Sequence, residues 1–366
     1  MRASYSSHKS ITQVGKVLVL CPDSFPGLCE LESRRLRGDG HTPIPYSRVV
    51  DELPGGLMRV TMPLPMRPGH VHCYIVPVDG GFMIVDTGLG LPDASERWAA
   101  ELAQLDGPVV RLFITHFHPD HLGAAADVRD LTGAPVSQGR VDAAQGRLAW
   151  ESDDWPRVLA DWFHQNGVPE PVTQELIDEG SFYRPYIRTV SDPELVDGGD
   201  RLDGWDLVAA PGHADGQLTL LKDGVLIAAD HLLARITPTV GLWPASRPDP
   251  LGDYLTALER TIELGPDVAY GGHGDPVTDP VRRAHELIAH HHERLCRAAE
   301  ALGQEPRTGY EVSYPLFGDD LKPAARRFAV AETLSHLERL VRDGRAERHD
   351  AEHDETVVGV SYTAAQ

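Results

Sequence analysis

The stretch FITHFHPDHLGAAA, residues 113–126, puts His116, His118, Asp120 and His121 into six consecutive positions directly after an apolar run. Two readings compete: these side chains hold a metal, or they are the polarity of an ordinary loop. An HxH pair alone is common and decides nothing. The longer HxHxDH pattern is more specific, because His116 and His118 share one side of an extended backbone. Asp120 and His121 follow Pro119 into the first turn of a helix, where the helix dipole favours a carboxylate.

The rest of the chain repeats this placement. His213 follows the apolar run DLVAA in PGHADG, Asp230 follows VLIAA, and His273 follows DVAYGG in GGHGDP. Loops at the carboxyl ends of strands converge on one rim of an α/β sheet. Five histidines and two aspartates arriving there are a metal-ligand set, and the glycines at 212, 271, 272 and 274 allow tight turns beside it. Imidazole and carboxylate without thiolate suit zinc, iron or manganese. Seven ligands exceed one tetrahedral ion, so two metals sharing a carboxylate are expected. A hydroxide bridging such a pair is a nucleophile at neutral pH, since bound water falls from a pKa of ~15.7 to roughly 7.

Around these loops, GLMRVTMPLP, HCYIVPV and GFMIVDTG read as strands, the last two joined by a DGG hairpin turn. PDASERWAAELAQL has helical spacing and an Asp/Ser start signal. VVRLFIT reads as a buried strand, HLGAAADVRDLTG as a helix closed by Gly133, and APVSQ as a short strand. Residues 139–195 turn rich in aromatics and charge (Trp150, Trp155, Trp162, Phe163, Phe182, Tyr183, Tyr186), which suggests an inserted helical subdomain with its own small core. Strands WDLVAAPGH, GQLTLLKDG and VLIAADHLL, the helix LGDYLTALERTIEL and the strand in DVAYGGHGDP complete the unit. A long helix, VRRAHELIAHHHERLCRAAEAL, and a last helix–loop–helix segment with a β-like tail follow.

Taken in order, THFHPDHLGA, DTG, PGHADG, AADHLL and GGHGDP resemble the metallo-β-lactamase fold superfamily over about residues 55–280. The resemblance implies a four-layer αββα sandwich with the site at one edge. It implies His116, His118 and His213 at a first metal, Asp120, His121 and His273 at a second, and Asp230 bridging them. Asp86, in IVDTG, then looks like the buried acid that orients the histidine loop. HLLARITPTVGLWP, DPLGDYLTALER, HHHERL and ETLSHLERLVRDG resemble a subgroup with a C-terminal winged-helix-like unit. That subgroup includes hydroxyacylglutathione-hydrolase-like proteins and, more distantly, a mitochondrial endoribonuclease. The expected organisation is an N-terminal extension over 1–50, a mobile arm carrying the basic run RRLR. A catalytic domain follows over 51–280, with the 139–195 insertion as a lid, and a C-terminal helical unit over 281–366.

The expected function is a binuclear zinc-dependent hydrolase of a small thioester or lactone, with Asp120 orienting the nucleophile and able to carry a proton. Iron or manganese could replace the two zinc ions. The formal net charge of −21 over 366 residues disfavours nucleic acid and anionic membrane as partners. A nuclease of the same fold, a mononuclear iron sulfur dioxygenase and a non-enzymatic regulator are the rivals. Cys21, Cys29, Cys73 and Cys296 are scattered without a CxxC pair, which suggests a reducing, cytoplasmic setting and no disulfide framework. The short VLVL run cannot span a bilayer, and a monomer or homodimer is expected. His290, His291 and His292 are set aside as a metal comb, since neighbouring helix positions diverge by ~100°. Arg235, Trp243 and Tyr254 are read chiefly as packing residues near the cleft, and His231, next to Asp230, either supports a ligand or is simply exposed. Leu334, Leu337, Leu340 and Val341 form a core stripe rather than one face of a DNA-reading helix.

Overall fold

Strands with both faces buried need cover on both sides, and here two sheets and their helices supply it. The computed structural model describes residues 50–350 and 359–365, so Cys21, Cys29 and the RRLR run lie outside the described residues. The first sheet runs in chain order: β1 (Val50–Glu52), β2 (Met58–Pro63), β3 (His70–Val78), β4 (Gly81–Val85), β5 (Val109–Ile114), β6 (Val136–Gly139) and β7 (Glu194–Val196). It is antiparallel up to β4 and parallel from β4 to β7. The second sheet contains β8 (Arg201–Leu202), β9 (Trp205–Ala209), β10 (Leu218–Lys222), β11 (Val225–Ala229) and β12 (Val268–Gly271), with β11 and β12 parallel.

Inward-facing residues of the two sheets form one core: Tyr74, Val76, Met83, Val85 and Phe113 meet Trp205, Leu207, Leu220, Ile227 and Tyr270. Near the site end the sheets are also tied directly. The backbone N–H of His72 donates to Gly272 O at 2.7 Å, and Tyr74 Oη donates to Gly271 O at 2.6 Å.

Helices cover the outer faces. On the first sheet lie α1 (Ala94–Leu102), α2 (Pro119–Leu122) and α3 (Ala125–Thr132). The expected helix after the histidine loop is thus two helices. At the break, Ala124 N–H donates to Gly88 O and Ala126 N–H to Arg188 O, so neighbouring loops take up amides that a continuous helix would keep. Gly123 is needed there because a Cβ would lie 3.0 Å from the Leu89 Cα. Gly133 closes α3 in the left-handed region at φ 69°, as expected. Asp93 precedes α1 but makes no side-chain cap; it pairs with Arg97 one turn later at 2.8 Å.

Next come α4 (Arg140–Trp150), α5 (Trp155–Gln165) and α6 (Glu170–Ser181). Beyond them lie α7 (Pro250–Leu264), α8 (Pro280–Ala301), α9 (Gly309–Phe317) and α10 (Pro323–Arg342). The insertion has no separate core. Leu159, Phe163, Val168 and Leu176 join one cluster with Leu251, Leu258, Leu287, Val330, Leu334, Leu337 and Leu340. The reason is amphipathy: α6 lays its buried Leu176 and Ile177 against α10, whose leucine stripe is too long to be covered by α8 alone. Truncating Phe163 to alanine should cost about 3–5 kcal/mol of stability, read as a lower urea midpoint at unchanged m. A change under about 1 kcal/mol would place Phe163 in a site that collapses freely.

A third sheet, β13 (Arg307–Thr308), β14 (Ala346–Asp350) and β15 (Val360–Ala364), is ordered β13-β15-β14 and packs with α9 and α10. Among the described residues, no helix is long and apolar enough to cross a membrane.

Candidate metal centre

The carboxyl ends of β5, β9, β11 and β12 deliver the polar residues. His116 and His118 lie in the loop after β5, while Asp120 and His121 lie in α2. His213 sits between β9 and β10, Asp230 directly after β11, and His273 just past β12. All seven expected residues meet. Ring nitrogens of His116, His118 and His213 lie within 4.8 Å of one another, as do donor atoms of Asp120, His121 and His273, and of His116, His121 and Asp230.

Asp230 joins the two sets: Oδ1 lies 3.5 Å from His121 Nε2, while Oδ2 lies 3.5 Å from His213 Nε2 and 3.4 Å from His273 Nε2. His273 Nε2 is also 3.3 Å from Asp120 Oδ2.

Four of the five rings are aimed by their other nitrogen. His121 Nδ1 donates to Asp86 Oδ2 at 2.7 Å, His213 Nδ1 to Thr239 O at 2.7 Å, and His273 Nδ1 to His70 O at 2.8 Å. Thr115 Oγ1 donates to Asp86 Oδ2 at 2.8 Å, so its hydroxyl is left to accept from His116 Nδ1 at 3.0 Å. These partners place a proton on each Nδ1 and turn Nε2 of His116, His121, His213 and His273 inward, where His213 Nε2 meets His118 Nδ1 at 2.8 Å. Among the described residues, His116 Nε2, His121 Nε2 and Asp230 Oδ1 are buried with no hydrogen-bond partner, an expense that a metal ion would offset.

Charge is divided across the site. Burial, then neighbouring imidazoles, holds His116 well below the ordinary range and His118 at about 3; burial also lowers His213. Those three rings are therefore neutral, the form that binds metal. Burial would lower His273 too, but Asp230 and Asp120 outweigh it and raise it to about 10. His121 is raised well above its ordinary value, because Asp86, Asp230 and Asp120 together outweigh burial. Burial pushes Asp120 up, yet His121 and His273 win and hold it at about 2. The same two rings depress Asp230. Two buried carboxylates thus demand positive charge at one spot.

Asp86 is the keystone beneath this site. It sits in the left-handed region at φ 61° and also accepts from the Thr115 backbone N–H at 2.8 Å. Such a backbone persists where its surroundings over-determine it. Asp86→Asn keeps the shape and tolerates that φ, but removes the charge facing His121. Metal affinity should fall by about 10–100-fold, read by competition with a chromophoric chelator. Unchanged affinity would show that shape alone orients His121.

Several supports carried no signal in the sequence. The Thr239 and His70 acceptors are backbone carbonyls and have no residue signature. His72 brackets the His273 loop: its Nε2 bonds Gly274 O at 3.0 Å and its Nδ1 accepts from Thr61 Oγ1 at 3.0 Å. Asp142, buried at the start of α4, accepts from the Phe117 backbone N–H at 3.0 Å, and Trp150 Nε1 donates to Phe117 O at 2.7 Å. Thr115 stands next to His116 and could have been flagged.

Tyr254 and Trp243 pack as expected, whereas Arg235 is an exposed ion pair and His231 is buried rather than exposed. Tyr254 is fully buried with its hydroxyl on His231 O at 3.0 Å, Trp243 stacks on Trp162 at 5.6 Å, and Arg235 pairs with Asp275 at the surface. His231 is buried and bonds Thr261 Oγ1 at 2.8 Å.

A sandwich whose edge gathers five histidines and two aspartates in this order defines a class of metal-dependent hydrolases. The chain belongs to the metallo-beta-lactamase superfamily, whose family model matches residues 66–273, and it is a hydrolase of that superfamily. Residues 295–357 match the metallo-beta-lactamase-like C-terminal domain. Among curated relatives, "Probable metallo-hydrolase YqjP" of Bacillus subtilis (strain 168) is 25% identical over 77% of this chain and 91% of its own length. An atrochrysone carboxyl ACP thioesterase of Emericella nidulans is 22% identical over 75% of each chain. Among solved structures, a metallo-beta-lactamase family protein from Thermus thermophilus is 33% identical over 85% of this chain and 99% of its own, with a TM-score of 0.72. A beta-lactamase domain protein from Burkholderia ambifaria is 26% identical over 88% of this chain and 96% of its own, with a TM-score of 0.77.

Proposed function

We propose that this hydrolase is a binuclear zinc enzyme acting on a small thioester or lactone. His116, His118 and His213 would hold one ion, and Asp120, His121 and His273 the other, with Asp230 shared. The observation that carries this reading is Asp230, whose two oxygens face the two histidine sets at 3.4–3.5 Å. Zinc bound there would supply a water that ionises near neutral pH and would polarise a substrate carbonyl.

The chain's own residues do the rest. Asp120, whose side chain is 18% accessible where His116 and His121 are sealed, stands at the open side and is placed to orient water and hold a proton. Thr115 and Asp86 keep His116 and His121 in the ligand tautomer. Trp150, against the histidine loop, supports an organic substrate beneath the 139–195 insertion, which we read as a lid. The thioesterase among the relatives supports a thioester first. In the same reading 51–280 is the catalytic domain and 281–366 a winged-helix-like unit. The protein acts in the cytoplasm as a monomer or homodimer, and nucleic acid is not its substrate.

The test is hydrolysis of thioesters, lactones, β-lactams and phosphodiesters by the zinc-loaded and the chelator-stripped full chain, with metal analysis. Thioester or lactone turnover that vanishes on stripping and returns with zinc is expected. Full activity without metal, a single iron per chain, or turnover confined to phosphodiesters would overturn the proposal.

A further inference from the structure

A second cluster of metal-ligand side chains lies away from the sandwich edge, between α8 and α10. His291 comes from α8, and Glu332 and His336 from α10, four residues apart and so on one face of that helix. All three are buried, at 0%, 6% and 0% exposure. One donor atom from each lies within 4.8 Å of the others.

The hydrogen bonding prepares these atoms for a ligand. His336 Nδ1 donates to the Glu332 carbonyl one turn earlier, at 2.7 Å, which leaves Nε2 as a bare lone pair. That Nε2 faces His291 Nδ1 at 3.3 Å. The separation is long for a hydrogen bond. It is also the spacing of two imidazole nitrogens on one tetrahedral ion, about 3.3 Å for metal–nitrogen bonds of ~2.0–2.1 Å. With Nδ1 turned to His336, the His291 proton sits on Nε2, which is buried with no partner among the described residues.

Burial, then the neighbouring histidines, lowers His291 to about 2; burial also takes His336 to about 4, so both rings stay neutral at ordinary pH. Burial raises Glu332 to about 7 even though Arg294 Nη1 donates to its Oε1 at 2.8 Å; the same guanidinium lies 4.4 Å from the Phe317 ring centre.

We propose that His291, Glu332 and His336 form a third ion site, for a divalent transition metal of the zinc type, that clamps α8 to α10. Two imidazoles and one carboxylate are a zinc donor set, and three protein ligands leave one coordination position open. The site shares no residue with the sandwich edge: the Tyr254 ring stands 5.4 Å from His291 and 5.7 Å from His231, the chain neighbour of Asp230. Within the HHH run only His291 takes part, because the neighbouring positions turn away around the helix. Its partners come from the Glu-x-x-x-His turn of α10, 45 residues on at His336.

The test compares zinc-loaded full-length wild type with His336→Ala. Metal analysis should show one ion fewer per chain in the variant, with turnover within about three-fold of wild type, since the variant lies off the active centre. Anomalous diffraction at the zinc edge should place a peak ~2.0–2.1 Å from His336 Nε2 in wild type. His291→Gln provides a second variant, and the wild-type anomalous map decides even if both variants misfold. The difference between proteins is read rather than the total, so the result is independent of how many ions the sandwich edge holds. Equal metal content in wild type and folded variants, or no peak between α8 and α10, would overturn the proposal.

Discussion

His116→Ala is expected to lower zinc-dependent turnover by at least about 1,000-fold while leaving the fold intact. His116 belongs to two of the donor groups at the sandwich edge, one with His118 and His213 and one with His121 and Asp230. Its Nε2 is buried without a partner among the described residues, so its lone pair is left for the site. A bound metal provides several kcal/mol of transition-state charge stabilisation, and about 4 kcal/mol corresponds to roughly 1,000-fold in rate. Stability in the metal-free state should change by much less than turnover, because removing the ring also removes an orphaned polar atom. Parallel measurements of kcat/KM, metal content and thermal midpoint separate the two effects. Retained turnover with retained metal would remove His116 from the site.

Gly272→Ala is the second large effect, expected at about 100-fold or more in metal affinity. Gly272 lies between β12 and His273, and its amide donates to Ala229 O at 2.9 Å while its carbonyl accepts from His72 at 2.7 Å. The backbone is therefore pinned from both sides. A Cβ there would press on Asp230 Oδ1 and lie 2.7 Å from His121 Cε1. Relief can come only from moving Asp230 or His121, both of which face the proposed second ion, and ligand geometry tolerates little displacement. A 100-fold loss corresponds to about 2.7 kcal/mol, within the usual cost of overpacking a rigid interior. Chelator competition reads the affinity, and circular dichroism checks the fold. Wild-type affinity in a folded Gly272→Ala would mean that the loop yields where its hydrogen bonds say it cannot.

Much of the site was legible because its chemistry is local and repeated. THFHPDH, PGHADG, AAD and GGHGDP each follow an apolar run, and strand ends in α/β folds share a rim. Asp86 was legible only through the family resemblance, which gives the acid of IVDTG a place beneath the histidine loop. The supports were not, because they act through backbone atoms or over long chain distances. The carbonyls of His70 and Thr239 bear no side-chain mark, and Asp142 reaches Phe117 from a different element.

The aromatic insertion shows the same limit. Its periodicity marked helices correctly, but which core Phe163 and Leu176 would join depended on the uncovered leucine face of α10, more than 150 residues away. Periodicity states that a face must be buried and not against what.

By itself, then, the amino-acid sequence determined the sandwich class, the seven metal-ligand candidates and their loops, because residue type and strand–loop order are written along the chain. Tertiary structure alone decided three things. It split the helix after the histidine loop at Gly123, where loop carbonyls compete for its amides. It set Asp230 between two histidine sets. It also brought His291 against Glu332 and His336. Each depends on the distance between groups remote in sequence, and only the packing of sheets and helices fixes such distances.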